Sequence, residues 1–249
     1  MRPDAKADDH KSRDQNVARP HAASDTTTGA PWSTAAEHEP VGRERLLDEG
    51  MRLFLDHGYA AVSTRQICGA AGVTQPSLYH HFGSKDGIYF AVLLRWFDLA
   101  LEEIEKAIAR ASDLTGRLHR VAVIFWSGQF GDYQAMQHDA IQVLPHTRLA
   151  SLGATVNRAI IAPVVQIMED AILSGELPVD AHAGGLTHLF WALVDGIASA
   201  YRRNRAALPE PEANSAPIHL FVAGARAMEQ AAFAAWPERP IDRPAPPLA

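Results

Sequence analysis

A single cysteine, Cys68, in 249 residues excludes an intrachain disulfide framework or a cysteine-based zinc cluster. Long apolar runs are missing too: none approaches the ~20 residues that span a bilayer. The opening MRPDAKADDHKSRDQ lacks the apolar stretch of a secretory signal, so none is expected. There is no GxGxxG or P-loop, no internal repeat, and no sustained alternation that would mark a sheet. Neither sign of charge is in large excess; 23 basic against 29 acidic residues leave a net charge of -6. That excludes a surface coated in positive charge but not nucleic-acid binding, because phosphate responds to local charge rather than to the average. A composition of 47% hydrophobic and 21% charged residues suits a globular chain with a core, not a disordered or collagen-like one. A cytoplasmic location without membrane association is expected.

Residues 1–40 mix charges with Thr, Ser, Ala and Pro and offer only Val17 and Trp32 as bulky apolar residues beyond Met1. This composition predicts a disordered tail. An arm carrying Arg2, Lys6, Lys11, Arg13 and Arg19 is the alternative, but Asp4, Asp8, Asp9 and Asp14 largely cancel its charge. Residues 236–249 are dense in Pro and are expected to be loose. Between the tails the rhythm is helical. Phe90, Leu94, Phe97, Leu101, Ile104 and Ile108 predict an apolar stripe, as do Leu118, Val121, Ala122 and Phe125. Leu149, Leu152, Val156 and Ile160 repeat it, and so do Leu186, Leu189, Phe190, Leu193 and Ile197. The fold class is all-α.

Residues 41–86 carry three short helices. The first, RERLLDEGMRLFLDHGY, sets Leu47, Met51 and Phe54 on one face and stops at Gly58. Ser63 and Gln66 have the spacing of a capping box for the second, in which Ile67 and Ala70 face inward and Gly72 ends the helix. Thr74 caps the third, QPSLYHHF, where Pro76 is tolerated because the first turn has no intrahelical amide bonds to lose. Gly83 closes it and Ser84 caps a long fourth helix. Two short helices about a tight turn make a helix-turn-helix, also a common packing unit in helical proteins. Its residues suit DNA. Gln75 is placed for a bidentate contact with adenine, while Ser63, Thr74, Ser77, Tyr79 and His80 offer donors for phosphate. From His57 to Lys85 there is no Asp or Glu, whereas Arg65 and Lys85 add positive charge. The exposed helix N-termini add free amides and partial positive charge.

The string STRQICGAAGVTQPSLYHHFGSKDGIYFAVL resembles the DNA-binding segment of the tetracycline-repressor (TetR) family, and the resemblance covers residues 43–95. It implies an N-terminal three-helix helix-turn-helix domain followed by a larger helical ligand-binding and dimerisation domain, residues 87–235. It further implies that Thr64, Tyr79 and Lys85 bind phosphate and that Arg65 reaches a base or the adjacent phosphate. Gln75 would read a base with Pro76 and Ser77 beside it, and His80 would lie against the backbone. Leu78, Phe82, Ile67 and Val73 would be core. Many members have Lys at the position of Gln75 and Gly or Ala at that of Pro76.

The implied partners are a double-stranded DNA operator, a second copy of the chain and a largely apolar or aromatic small-molecule effector. Ala192, Gly196 and Ala200 form a small-residue seam on one helix; the next, with Pro217 near its start, carries Leu220, Gly224, Ala227, Met228 and Ala231. By resemblance these two helices pair with their copies as a four-helix bundle. For the effector, Trp96, Phe125, Trp126, Phe130, Tyr133 and Trp191 supply aromatic surface, and His119, His138, Gln142, His146, His188 and Asp195 supply polar groups. The alternative for the aromatics is plain core. Pro163 predicts a kink or break near Ala159 to Ala162. Neither His138 with Asp139 nor His182 with His188 gives a closed metal-ligand set, and no cofactor is expected. The expectation is a ligand-responsive transcriptional regulator, a repressor, with no enzymatic activity. The rivals are a helical small-molecule-binding enzyme, drawing on His119, His138, His146 and Asp195, and an effector-independent DNA-binding protein.

Overall fold

The computed structural model describes residues 35–204 and 208–228; the rest of the two tails and Ala231 lie outside the described residues. Helix α1 (Ala35–Ala61) is interrupted at Gly58, whose φ of 75° and ψ of 167° leave helical space at the predicted stop. Ser63 and Gln66 form the capping box of α2 (Thr64–Ala71), and Gly72 ends it in the left-handed conformation at φ 66°. Inside α2 the buried residues are Ile67, Cys68 and Ala71. Ala70, expected inward, is exposed, because the face packed on α1 follows i, i+1 and i+4. Thr74 stands at the N-cap of α3 (Gln75–Phe82) but its side chain makes no capping bond. Ser84 does cap α4 (Lys85–Ile108), accepting a bond from the Gly87 amide at 3.0 Å.

Helix α4 is the spine, packing against α1, α3, α5 and α7. The predicted stripe on it is rotated. Ile88, Tyr89, Val92, Leu93, Trp96, Phe97, Ala100 and Ile104 are buried, whereas Phe90, Leu94, Leu101 and Ile108 are only half-buried. Both sides of this helix are apolar, so periodicity alone does not choose between them. Around it lie α5 (Leu114–Trp126), α6 (Tyr133–Val143), α7 (His146–Val156), α8 (Ala162–Leu173), α9 (Ala183–Asn204) and α10 (Ala216–Ala227). The core runs without a gap from Leu46 and Ile67 in the N-terminal helices to Val194 and Ile218 in the last two.

At the predicted kink the chain does not break. Asn157–Ile161 form a π-helical turn in which the Ala162 amide donates to the Asn157 carbonyl, and Pro163 follows within the first turn of α8. The continuous segment His146–Leu173 is long enough, and on average apolar enough, to cross a membrane, although Arg148, Asn157, Arg158, Gln166, Glu169 and Asp170 interrupt its apolar residues. Its packing is that of a bundle helix: Val164, Ile167, Met168 and Ala171 are buried where α8 meets α5 and α9, and Arg158 pairs with Asp98 of α4.

Candidate functional site

The face built by α2 and α3 starts from its supports. Ile67 and Leu78 are fully buried, with half-buried Val73 and Phe82 packed against the same core, and together they fix the angle between the two helices. The capping box ties Ser63 to Gln66 through the Gln66 amide at 3.2 Å and the Ser63 amide donating to Gln66 Oε1 at 2.8 Å. On the outside, Arg65, Thr74, Gln75, Pro76, Tyr79 and His80 are exposed, and Thr64 and Ser77 are half-buried. Thr64 Oγ1 and the Tyr79 hydroxyl lie 3.4 Å apart, which brings two of the expected phosphate ligands to one point at the join of α2 and α3. Thr74, whose side chain makes no cap bond, stands at the exposed N-terminus of α3, followed by exposed Gln75. Hydroxyls, an amide and a guanidinium thus share one carboxylate-free surface.

Lys85 is placed differently from its neighbours. It is half-buried, its Nζ lies 3.9 Å from the centre of the Tyr59 ring, and burial lowers its pKa despite the carboxylates of Asp86 and Asp139. The Tyr59 hydroxyl donates to Asp86, and burial with that carboxylate pushes its pKa up to about 12. The Tyr59 amide donates to Asp139 Oδ2 of α6 at 2.8 Å, and the Tyr89 hydroxyl donates to the Met136 carbonyl at 3.0 Å. This junction between the N-terminal helices and α6 was missed by sequence reasoning. Tyr59 and Asp139 are 80 positions apart, and no local pattern links them.

The expected effector residues separate into two groups. Trp96, Phe125, Phe130 and Trp191 come together: Trp96 meets Phe130 edge-on at 5.4 Å between centroids, and Phe125 meets Trp191 edge-on at 4.9 Å. Trp126 lies against Tyr201 at 6.3 Å. The Trp96 indole donates to the Phe130 carbonyl at 3.0 Å and the Trp126 indole to the Val194 carbonyl at 3.1 Å, so both are engaged within the core. Trp191 Nε1 and, one turn earlier, Thr187 Oγ1 are buried without partners among the described residues. His138, Gln142, His146 and His188 do not join this cluster; all four are exposed. In α6 the buried residues Met136 and Ala140 define the inner face, and positions 138 and 142 fall on the opposite side of the helix. Nothing is described of the Tyr133 side chain. Among the described residues no three His, Cys, Asp or Glu side chains gather to hold a metal ion.

Two grooves open elsewhere. One of about 410 Å³ runs between α4 and the π-helical turn with α8, lined by Leu101, Ile108, Pro163 and Ile167. The other, about 480 Å³, lies between the end of α4 and α5 and is lined by Arg110, His119, Arg120 and Gln129.

Comparison with known proteins fits this geometry. The profile of bacterial regulatory proteins of the tetR family matches residues 46–92. The Escherichia coli transcriptional regulator UidR is 25% identical over 65% of this chain and 81% of its own length. The Mycolicibacterium smegmatis transcriptional activator FasR is 36% identical over 34% of this chain, which spans 38% of that relative's length. The crystal structure of the regulator FadR from Bacillus subtilis in complex with stearoyl-CoA matches 73% of this chain and 98% of its own, with a TM-score of 0.57 at 18% identity, a likeness of fold. Residues 46–92 thus carry the helix-turn-helix of the tetR family of bacterial regulatory proteins, and the all-helical body behind it shares the fold of the FadR structure.

Proposed function

We propose that the chain is a dimeric transcriptional repressor that binds a pseudo-palindromic DNA operator and leaves it when a small molecule binds the helical body. The observation that carries this reading is the exposed, carboxylate-free face of α2 and α3, where Thr64 and Tyr79 meet and Gln75 opens the recognition helix. Residues 41–86 form the DNA-binding unit and 87–235 the sensing and pairing unit, working in the cytoplasm and without enzymatic activity. Thr64, Tyr79 and Lys85 hold phosphates, the last after leaving the Tyr59 ring. Thr74, Ser77 and His80 sit along the same backbone, and Arg65, Gln75 and Pro76 meet the groove floor. Two copies then set their recognition helices in successive major grooves, about 34 Å apart.

Pairing is supported by the outer sides of α9 and α10, where Ala192, Gly196, Gly224 and Ala227 are all exposed. An effector acts by binding one spacing of the two heads better than the other. The long acyl chain of the stearoyl-CoA held by the FadR neighbour supports an effector with a large apolar part. Trp96, Phe125, Trp126, Phe130 and Trp191 are the aromatic candidates to meet it; His138, Gln142, His146 and His188 would reach it only by leaving their exposed positions. The test is footprinting on an operator selected from random DNA. Tyr79→Phe weakens binding to all sequences alike, whereas Gln75→Ala also relaxes choice at one base pair, a cost of about 1–3 kcal/mol. Equal loss on every site variant removes the base-reading role of Gln75, and no protected palindrome removes the repressor.

A further inference from the structure

The groove between α4 and the π-helical turn has a shape and a charge that together select a ligand. Leu101 and Ile108 are two turns apart on α4, on the half-buried side of that helix, where neither is fully covered. Across from them stand Ala162, Pro163 and Ile167 of α8. The opening has a local cause. Pro163 has no amide to give to the carbonyl four residues back, and the turn before it takes the wider π form. At about 410 Å³ the groove falls in the range of small-molecule sites.

The charged groups around it are Glu105, Arg158 and Asp170, with Asp98 and Arg117 behind. Arg158 is held by Asp98 at 2.6 Å. Asp170 faces Arg117 at 3.6 Å and accepts a bond from Gln166 Nε2 at 2.9 Å. The exposed Glu105 carboxylate makes no ion pair among the described residues. Three carboxylates thus stand against two guanidiniums, and the one without a counter-charge is on the groove wall. We propose that this groove binds an amphiphilic cation, its apolar body between Leu101 or Ile108 and Pro163 or Ile167, its ammonium beside Glu105. A carboxylate amphiphile of the same length meets Glu105 as a like charge.

Binding itself is independent of the repressor reading; its consequence rests on that reading. The groove joins α4 to α8, and the other end of α4 carries the DNA-binding unit. A body wedged there pushes α4 from the π-helical turn against the Arg158–Asp98 clasp, and so turns the head.

The test uses the full chain free of DNA, titrated calorimetrically below the micellar range with dodecyltrimethylammonium, dodecanoate and a neutral dodecyl glycoside. The ammonium binds at one site per chain, about two- to fivefold tighter than the carboxylate, the factor expected of one exposed charge pair. Glu105→Gln removes that preference and leaves the glycoside unchanged. Ala162→Trp, at an exposed position on the groove wall, abolishes binding of all three while the thermal midpoint is kept. Dodecanoate binding as tightly as the ammonium, a preference that survives Glu105→Gln, or binding that survives Ala162→Trp overturns the site. If Ala162→Trp unfolds the chain, Glu105→Gln decides alone. Binding to the groove without release of a selected operator overturns the effector role and leaves the site standing, and operator binding by a chain that ignores the ammonium leaves the repressor standing without it.

Discussion

Gly87 sits three residues beyond the cap of α4, and a Cβ there would lie 1.8 Å from the Phe82 carbonyl oxygen at the end of α3. The obstacle is backbone, so it cannot swing aside as a side chain would. Gly87→Ala is expected to force α3 and α4 apart and to cost about 1–3 kcal/mol, the range of overpacking, read as a lowered midpoint in chemical denaturation. Operator affinity falls with it, because α3 carries Gln75. Asp195 offers a test of opposite sign. Burial raises its pKa above 3.8; Arg202 and a hydrogen bond from Gln134 oppose the rise and Asp132 adds to it. A carboxyl raised in the folded state binds its proton more readily there than in the unfolded chain. The cost of its buried charge is therefore present above the folded pKa, shrinks as pH falls through it, and is gone below 3.8. Asp195→Asn should raise the thermal midpoint at pH 7, with the gain disappearing toward pH 4. A lowered midpoint at pH 7 would show that the Arg202 charge and the Gln134 hydrogen bond outweigh the burial.

Between elements, one tie between the N-terminal helices and α6 is the bond from the Tyr59 amide to Asp139, made where Gly58 interrupts α1. Asp139→Ala leaves that part-buried amide unsatisfied, at about 1–3 kcal/mol, and amide hydrogen exchange at Tyr59 should accelerate by the matching factor. Unchanged exchange would mean that the amide finds water without cost. The helices of the head were legible because their ends are written locally: Ser63 with Gln66, Gly72, and Ser84 three residues before Gly87. The tie to Asp139 was not, since its partners meet only after the chain has folded. The same holds for α4, where one apolar side is buried and the other left half-covered by neighbours distant in sequence. Helix α6 shows the limit from another side. His138 and Gln142 look placed for a pocket by composition, but the helix presents Met136 and Ala140 inward and leaves both exposed. Pro163 marked its irregular turn correctly, and only its form, a π-helical turn rather than a break, needed the structure.

The last two helices each bury one side and leave the other uncovered. In α9, Leu186, Phe190, Val194, Ala198 and Tyr201 face the core, while Leu189, Ala192 and Gly196 are exposed. In α10, Ile218, Val222 and Ala225 face inward, with Leu220 76% exposed and Gly224 exposed beside it. A Cβ added at Gly196 or Gly224 would meet nothing within 4 Å among the described residues, so contacts among them do not explain why glycine stands in either helix. In a lone subunit Gly196→Ala should therefore stabilise by about 0.5–1 kcal/mol, the ordinary gain of replacing a helical glycine. If α9 approaches its copy closely across a twofold axis, the added methyl meets the partner and the gain is lost. Gly196→Arg carries the argument further, placing a long charged side chain at the crossing. Sedimentation equilibrium should then show a subunit of half the mass with unchanged helix content, and binding to a full operator should fall toward that of a single half-site. A chain that is already a single subunit before substitution, or one that gains stability from Gly196→Ala and stays paired as Gly196→Arg, would place the dimer contact elsewhere.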